Sequence, residues 1–247
     1  MSSIRINQEA GVRYLQFDSH WIQGAMRLSR PDALELEYTQ DMMVPLLLRS
    51  GSEGPRSVLQ IGLGAASITK FLRRNLPKAN VEVVEIDPEV VLNAWQFFRL
   101  PEESTRRTIE IGDGYRYMET TRQRFDLVVV DRFDAKERAG RLHMSSFYRL
   151  CRARLAEGGM MVTNLLSRRK HPKANAAPIR KAFDDRVLVL PACDANTIVV
   201  ANIGAPICVS FDQLRASARR LGADTGLNLQ PTIAGLARTL GEEELRL

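Results

Sequence analysis

Two aspartates, Asp131 and Asp134, follow directly on the run Phe125 to Val130, apolar but for Asp126. A run of that kind reads as a strand buried on both faces, so the residues just past it stand at the carboxyl end of a central strand, where open α/β sheets bind ligands. Two carboxylates there suit a cationic amine, one of them taking its proton so that the nitrogen can attack. On an ordinary surface turn the same pair would be solvated and nothing more.

Two more acids close segments of the same type. Val81, Val83 and Val84 lead into Glu85-Ile86-Asp87-Pro88, and Thr108 to Ile111 leads into Gly112-Asp113-Gly114. Glu85 lies about twenty residues beyond Gly62 and Gly64, the separation at which an acid returns beside a glycine turn and accepts from ribose hydroxyls. Asp113 faces the same crevice and can accept from an exocyclic amine such as that of adenine, or it can simply be part of a turn. Tyr115, Tyr117 and Met118 beyond it either wall a ring or belong to the core. Asp87 reads differently: an acid before a proline is a helix N-cap with proline at the first helical position.

The elements that must hold these groups begin with Ser57 to Asp87, a strand, a glycine turn, a helix and a second strand. Val58, Leu59 and Ile61 form the first strand, and Gly62 and Gly64 let the backbone turn sharply and a ligand approach it. The helix puts Ile68, Phe71, Leu72 and Leu76 inward with Ser67, Lys70, Arg73 and Arg74 off that face, and Pro77 stops it. Ser67 stands where a dinucleotide fingerprint needs its third glycine, so the turn fits a nucleoside better than NAD. The next helix is expected to bury Val91, Ala94, Trp95 and Phe98. Ser145 opens another, Met160 to Leu166 is a fifth strand, and Ala174 to Phe183 a further helix. Val187 to Leu190 and Thr197 to Ala201 are spaced for a hairpin at the sheet's edge. The predicted fold class is α/β: a Rossmann-like seven-stranded sheet of the class I S-adenosylmethionine-transferase type, five strands parallel, with a small N-terminal β-hairpin unit. Residues 1–50 form that unit, with short strands at Val12 to Phe17 and Trp21 to Ile22 and a helix from about Ala33 to Leu48. Residues 51–205 form the nucleoside-binding domain and 206–247 a tail of two amphipathic helices.

Composition narrows the classes. A chain of 247 residues, 45% hydrophobic and 26% charged, is of ordinary globular type. No stretch approaches a membrane span and the N-terminus lacks a signal-peptide core, so a cytoplasmic protein without membrane partners is expected. Cys151, Cys193 and Cys208 read as buried thiols, and His20, His143 and His171 are scattered, so no metal is expected. Of the net charge of +6, part lies in the run Arg168 to Lys173. No aromatics interleave that run, which reads as a solvated loop and not as a nucleic-acid surface.

From about Val12 to Asn202 the chain resembles the spermidine synthase (polyamine aminopropyltransferase) family. The matching pieces are the N-terminal hairpin with Gln23, Glu37-Tyr38, IGLGAAS, VEIDPEVV, GDGYRYM, FDLVVVDRFDA and FYRLCRARLAEGG, in that order and spacing. The resemblance implies that Asp131 helps deprotonate the attacking amine and that Asp134 helps hold the amine substrate. Glu85 would bind the ribose, Asp113 the adenine amine, and Gln23 and Tyr38 would complete the pocket with Gly62, Gly64 and Gly114. The implied donor is decarboxylated S-adenosylmethionine or S-adenosylmethionine itself, the partner a small-molecule amine, and the assembly a homodimer. Three places depart from the family's pattern. Ala65 replaces an aspartate in the glycine loop, Asp131-Arg132-Phe133-Asp134-Ala135 replaces Asp-Ser-Ser-Asp-Pro, and 191–196 lacks a tyrosine. They leave open methyl transfer from intact S-adenosylmethionine, and a silent nucleoside- or polyamine-binding homologue.

Overall fold

The computed structural model describes residues 4–17, 22–49, 54–102, 104, 106–131, 141–166, 176–191, 196–241 and 243–247. Its centre is a seven-stranded sheet in the order β6-β5-β4-β7-β8-β10-β9. These are β4 (Ser57–Ile61), β5 (Asn80–Glu85), β6 (Arg107–Ile111), β7 (Phe125–Val130), β8 (Leu155–Leu166), β9 (Val187–Val189) and β10 (Asn196–Asn202). The first five run parallel, and β10 lies antiparallel between β8 and β9. The expected hairpin therefore closes the sheet.

Alternate side chains of each central strand enter opposite cores, as the period of two demands. Val58, Val83, Leu127, Val129, Val162 and Val200 meet Ile68 and Phe71 of α3 (Ser67–Asn75) and Leu214, Ile233 and Leu236 of the C-terminal helices Phe211–Thr225 and Gln230–Leu240. Leu59, Ile61, Val128, Val130 and Met161 meet Met118 of α5 (Gly114–Thr120) and Phe147 and Cys151 of α6 (Ser145–Arg154). Each such side chain contributes roughly 1.5–3 kcal/mol on burial, so the sheet edge that carries the acids is a rigid base. Tyr115, Tyr117 and Met118 are thereby core residues.

A second, antiparallel sheet of β1 (Arg5–Glu9), β2 (Val12–Gln16) and β3 (Ile22–Arg27) covers the glycine turn. The expected hairpin is thus three-stranded; RINQE pairs with β2 but shows almost no apolar alternation to announce it. The expected helix over 33–48 is broken into α1 (Glu37–Asp41) and α2 (Pro45–Leu48). Pro45 has no N–H to continue α1 and opens α2 instead. In α4 (Pro88–Phe97) Ala94 is buried as expected, as is Phe98 just past its end, and Val91 is partly buried; Val90 joins them, whereas Trp95 is 59% exposed. The strand expected to start at Met160 starts at Leu155, with a register shift against β7. Cys151 is buried as expected, whereas Cys208 is exposed and its thiol donates to Glu244; Cys193 lies outside the described residues. No described helix is long and apolar enough to cross a membrane.

Lys70 is the largest departure from the expected pattern. It is 1% exposed, and its Nζ donates to the Phe98 carbonyl oxygen at 2.7 Å. Burial lowers its pKa to about 8. Between that value and the 10.5 of a free lysine the unfolded chain holds the proton and the native chain does not, so stability rises with pH across this window. The increment is of order 3 kcal/mol at most. Urea titrations at pH 7.5 and 10.5 should show this gain in the wild type relative to Lys70→Met; equal pH dependence in the two would refute a titrating Lys70.

Candidate active site

The first chemical group is built by the ends of neighbouring strands. Beyond the regular ladder, Gly62 N–H donates to Val84 O at 2.9 Å, Gly112 N–H to Glu85 O at 2.9 Å, and Asp131 N–H to Ile61 O at 2.9 Å. These bonds tie the three loops to one edge of the sheet. Along that edge stand Asp113 after β6, Glu85 at the end of β5, the glycine turn after β4, Asp131 after β7 and Asn164 in β8. With strands about 4.8 Å apart, Asp113 and Asp131 are separated by about 14 Å, the scale of a nucleoside with a reacting arm.

Glu85 is buried and already engaged. Its Oε2 accepts from Leu63 N–H at 2.8 Å and its Oε1 from Asp87 N–H at 3.0 Å, with a further backbone bond from Ile86. It therefore braces the glycine turn from beneath. Burial raises its pKa and the three backbone donors oppose that rise. A carboxylate offers about four acceptor positions, so one remains for a ligand hydroxyl. Asp87 caps α4, its Oδ1 accepting from Glu89 N–H at 2.9 Å, as its place before Pro88 implies. Asp113 caps α5, Oδ1 accepting from Tyr115 N–H at 2.7 Å, and is exposed at the crevice. Capping and adenine recognition are compatible, because Oδ1 does the first and Oδ2 is the oxygen left for the second. Gly114 has a physical reason of its own: a Cβ there would meet Ile61 Cγ2 at 2.6 Å, so α5 packs directly on the end of β4.

The N-terminal sheet completes the glycine turn. Gly64 has φ +53°, and a Cβ on it would stand 3.4 Å from the Gln23 backbone oxygen. Gly62 has φ 91°, the left-handed region that glycine enters without strain. Ser67 Oγ donates to Ala25 O at 3.0 Å. Gln23, Gly24 and Ala25 of β3 thus lie across Gly64 to Ser67.

Asp131 is where the structure joins what the sequence separates. Tyr38 Oη donates to its Oδ2 at 3.4 Å and Asn164 Nδ2 to its Oδ1 at 3.3 Å. The residue is partly buried but its carboxyl is enclosed, and that burial lifts its pKa to about 6 against the two donors. Burial and the Asp131 charge push the Tyr38 phenol well above its ordinary value, so it remains a donor. Behind α1, Asp41 accepts from Thr232 Oγ1 at 2.5 Å, which fastens the helix carrying Tyr38 to the C-terminal helix. Asp134 lies outside the described residues.

Asn164 is the functional side chain that sequence reasoning missed. Its signal was a carboxamide, beside Thr163, in the mostly apolar second half of β8. An open depression of about 490 Å³, lined by Asp184, Arg186, Val187, Cys208 and Arg246 among others, sits at the start of β9, on the sheet's opposite edge. It takes no part in this site.

The family model for the spermine/spermidine synthase domain matches residues 35–199. The chain belongs to the spermine/spermidine synthase family. Similar curated proteins agree: a polyamine aminopropyltransferase of Chromobacterium violaceum is 33% identical over 240 residues, 97% of this chain and 91% of that one. That of Neisseria meningitidis serogroup A is 32% identical over 234 residues, 94% of this chain and 88% of the other. The spermidine synthase of Thermotoga maritima superposes with a TM-score of 0.62 at 18% identity, over 96% of this chain and 87% of that one, a likeness of fold.

Within the spermine/spermidine synthase family the Ala65 departure has a packing counterpart here. Ala65 is buried with Leu15, Met26 and Phe98, and a Cβ on Gly24 would fall 2.4 Å from its own. The glycine at 24 is what lets β3 lie directly on the loop at 65. The other departures, at Arg132, Phe133 and Ala135 and in 192–195, lie outside the described residues.

Proposed function

We propose that the protein transfers an aminopropyl group from decarboxylated S-adenosylmethionine to a small primary amine, with Asp131 as the base. The observation that carries this is the enclosed Asp131 carboxyl, held by Tyr38 and Asn164 at a strand end next to the glycine turn. A sulfonium is a good leaving group, so the chain's task is to align a neutral amine and accept its proton. A carboxyl with a pKa of about 6 is ionised at neutral pH yet basic enough to hold that proton briefly. Asp113 would take the adenine amine and Glu85 a ribose hydroxyl. Gly62, Gly64 and Gly114 would let the nucleoside lie close to the backbone, under Gln23. Tyr38 and Asp134 would flank the acceptor amine. The sulfur then falls over the turn after β4, between ribose and base, which is the order of these groups along the sheet edge.

Calorimetry combined with product analysis tests this reading. Methylthioadenosine and the decarboxylated donor should bind at least tenfold more tightly than intact S-adenosylmethionine, and putrescine with the decarboxylated donor should release methylthioadenosine. A preference for S-adenosylhomocysteine, with methyl transfer, would replace aminopropyl transfer by the methyltransferase reading. Binding without any turnover would leave a silent homologue.

A further inference from the structure

Asn164 touches the proposed base, and only half of its carboxamide is used. β8 runs in register with β7 so that Thr163 pairs with Val130, which places Asn164 beside Asp131. Its Nδ2 donates to Asp131 Oδ1 at 3.3 Å. Its own Oδ1 is buried and finds no hydrogen-bond partner among the described residues. A buried carbonyl oxygen left unpaired costs on the order of 1–3 kcal/mol, which an aliphatic side chain at this position would not incur.

We propose that Asn164 is a positioning residue that serves Asp131 in both protonation states: its NH2 holds the carboxylate, and its carboxamide then turns over so that Oδ1 accepts from the carboxylic acid formed. This rests on the transfer reading for its place in the reaction. The amine lone pair forms the N–C bond, the C–S pair leaves on sulfur as a neutral thioether, and the proton of the new ammonium passes to Asp131. When that proton settles on Oδ1, the oxygen that Asn164 holds, this oxygen changes from acceptor to donor, and a fixed NH2 would face an O–H. A half-turn of the carboxamide replaces that clash with a bond, since its two ends are nearly the same shape. The oxygen without a partner before the reaction is the one required after it.

The groups facing Asp131 bear on any pH dependence. From α1 there is Tyr38, a neutral phenol, and from β8 the neutral Asn164; Glu85 of β5 and Asp113 after β6 are the further acids of the same edge. The shift of Asp131 has no charged cause: burial raises it, and Asn164 and then Tyr38 lower it.

The test uses the ligand-free protein, labelled with 13C-carboxyl aspartate and 15N side-chain asparagine, with Asp131→Asn and Asn164→Leu to assign the signals. The Asn164 NH2 pair should move with pH at the same midpoint as the Asp131 carboxyl, and Asn164→Leu should raise the carboxyl midpoint by about one pH unit. An NH2 pair that stays still from pH 5 to 7, or a midpoint unmoved in the leucine variant, would overturn the proposal. If Asn164→Leu does not fold, the wild-type NH2 titration decides. In turnover, the acid limb of kcat/KM should shift upward with the carboxyl midpoint. Linked titrations in a protein that turns over no sulfonium donor would uphold the coupling and remove the transfer reading instead.

Discussion

Asp131→Asn is expected to slow aminopropyl transfer by roughly 10²- to 10⁴-fold while leaving methylthioadenosine binding within about threefold. Shape is preserved and the proton acceptor is lost, so the effect falls on kcat. In the wild type, kcat/KM should rise with pH through about 6, where the carboxyl ionises. The same substitution should stabilise the protein. Below 3.8 both native and unfolded chains hold the proton; between 3.8 and about 6 only the unfolded chain has lost it, so wild-type stability falls as pH rises through the window. Above it the native state carries the full cost of an enclosed charge, of order 3 kcal/mol at most. Asparagine cannot ionise and escapes that cost. Thermal melts at pH 4 and 7 should therefore show the variant ahead of wild type at pH 7 and level with it at pH 4. Turnover within tenfold of wild type would remove Asp131 as the base, and a variant no more stable at pH 7 would show that its carboxyl is not enclosed.

The parts of this fold that were legible in the sequence are those where one local rule governs. Phe125 to Val130 has no polar residue after Asp126, so a central strand was the simplest reading, and Asp87-Pro88 carries both halves of a helix start. The site was legible for a related reason: once strands end in acids and their sheet is parallel, those acids must share an edge. What could not be read was anything set by packing between distant segments. Tyr38 and Asp131 are 93 residues apart, and only the fold puts the phenol on the carboxyl. Lys70 looks like a surface cation in the helical pattern, yet it is buried with its Nζ on the Phe98 carbonyl oxygen at the end of α4. The break at Pro45 and the exposure of Trp95 are smaller cases. In the first a proline overrides a helical apolar pattern, and in the second Val90 takes the inward place beside Ala94 that the pattern gave to Trp95. Asn164 failed to stand out because a polar residue in a strand is ordinary until its neighbour across the sheet is known.

Glu85→Gln is expected to weaken nucleoside binding by roughly 10- to 100-fold, the worth of about 1.5–3 kcal/mol for a hydrogen bond to a charged group. The sequence position alone suggests a residue that only binds ribose, but the bonds to Leu63 and Asp87 give it a second duty. A carboxylate can accept on both oxygens; a glutamine accepts on one and presents an NH2 on the other, so either Leu63 or Asp87 would face a donor. Both the ligand contact and the shape of the glycine turn should then degrade. Because burial raises the pKa of Glu85, removing its charge returns some stability, and the net change in Tm should be smaller than the loss of binding. The expected kinetic signature is a rise in donor KM with kcat at saturation reduced far less, the reverse of Asp131→Asn. Equal affinities of wild type and Glu85→Gln for methylthioadenosine would mean that the ribose sits elsewhere, and the order of groups along the sheet edge from Asp113 to Asp131 would then have to be redrawn.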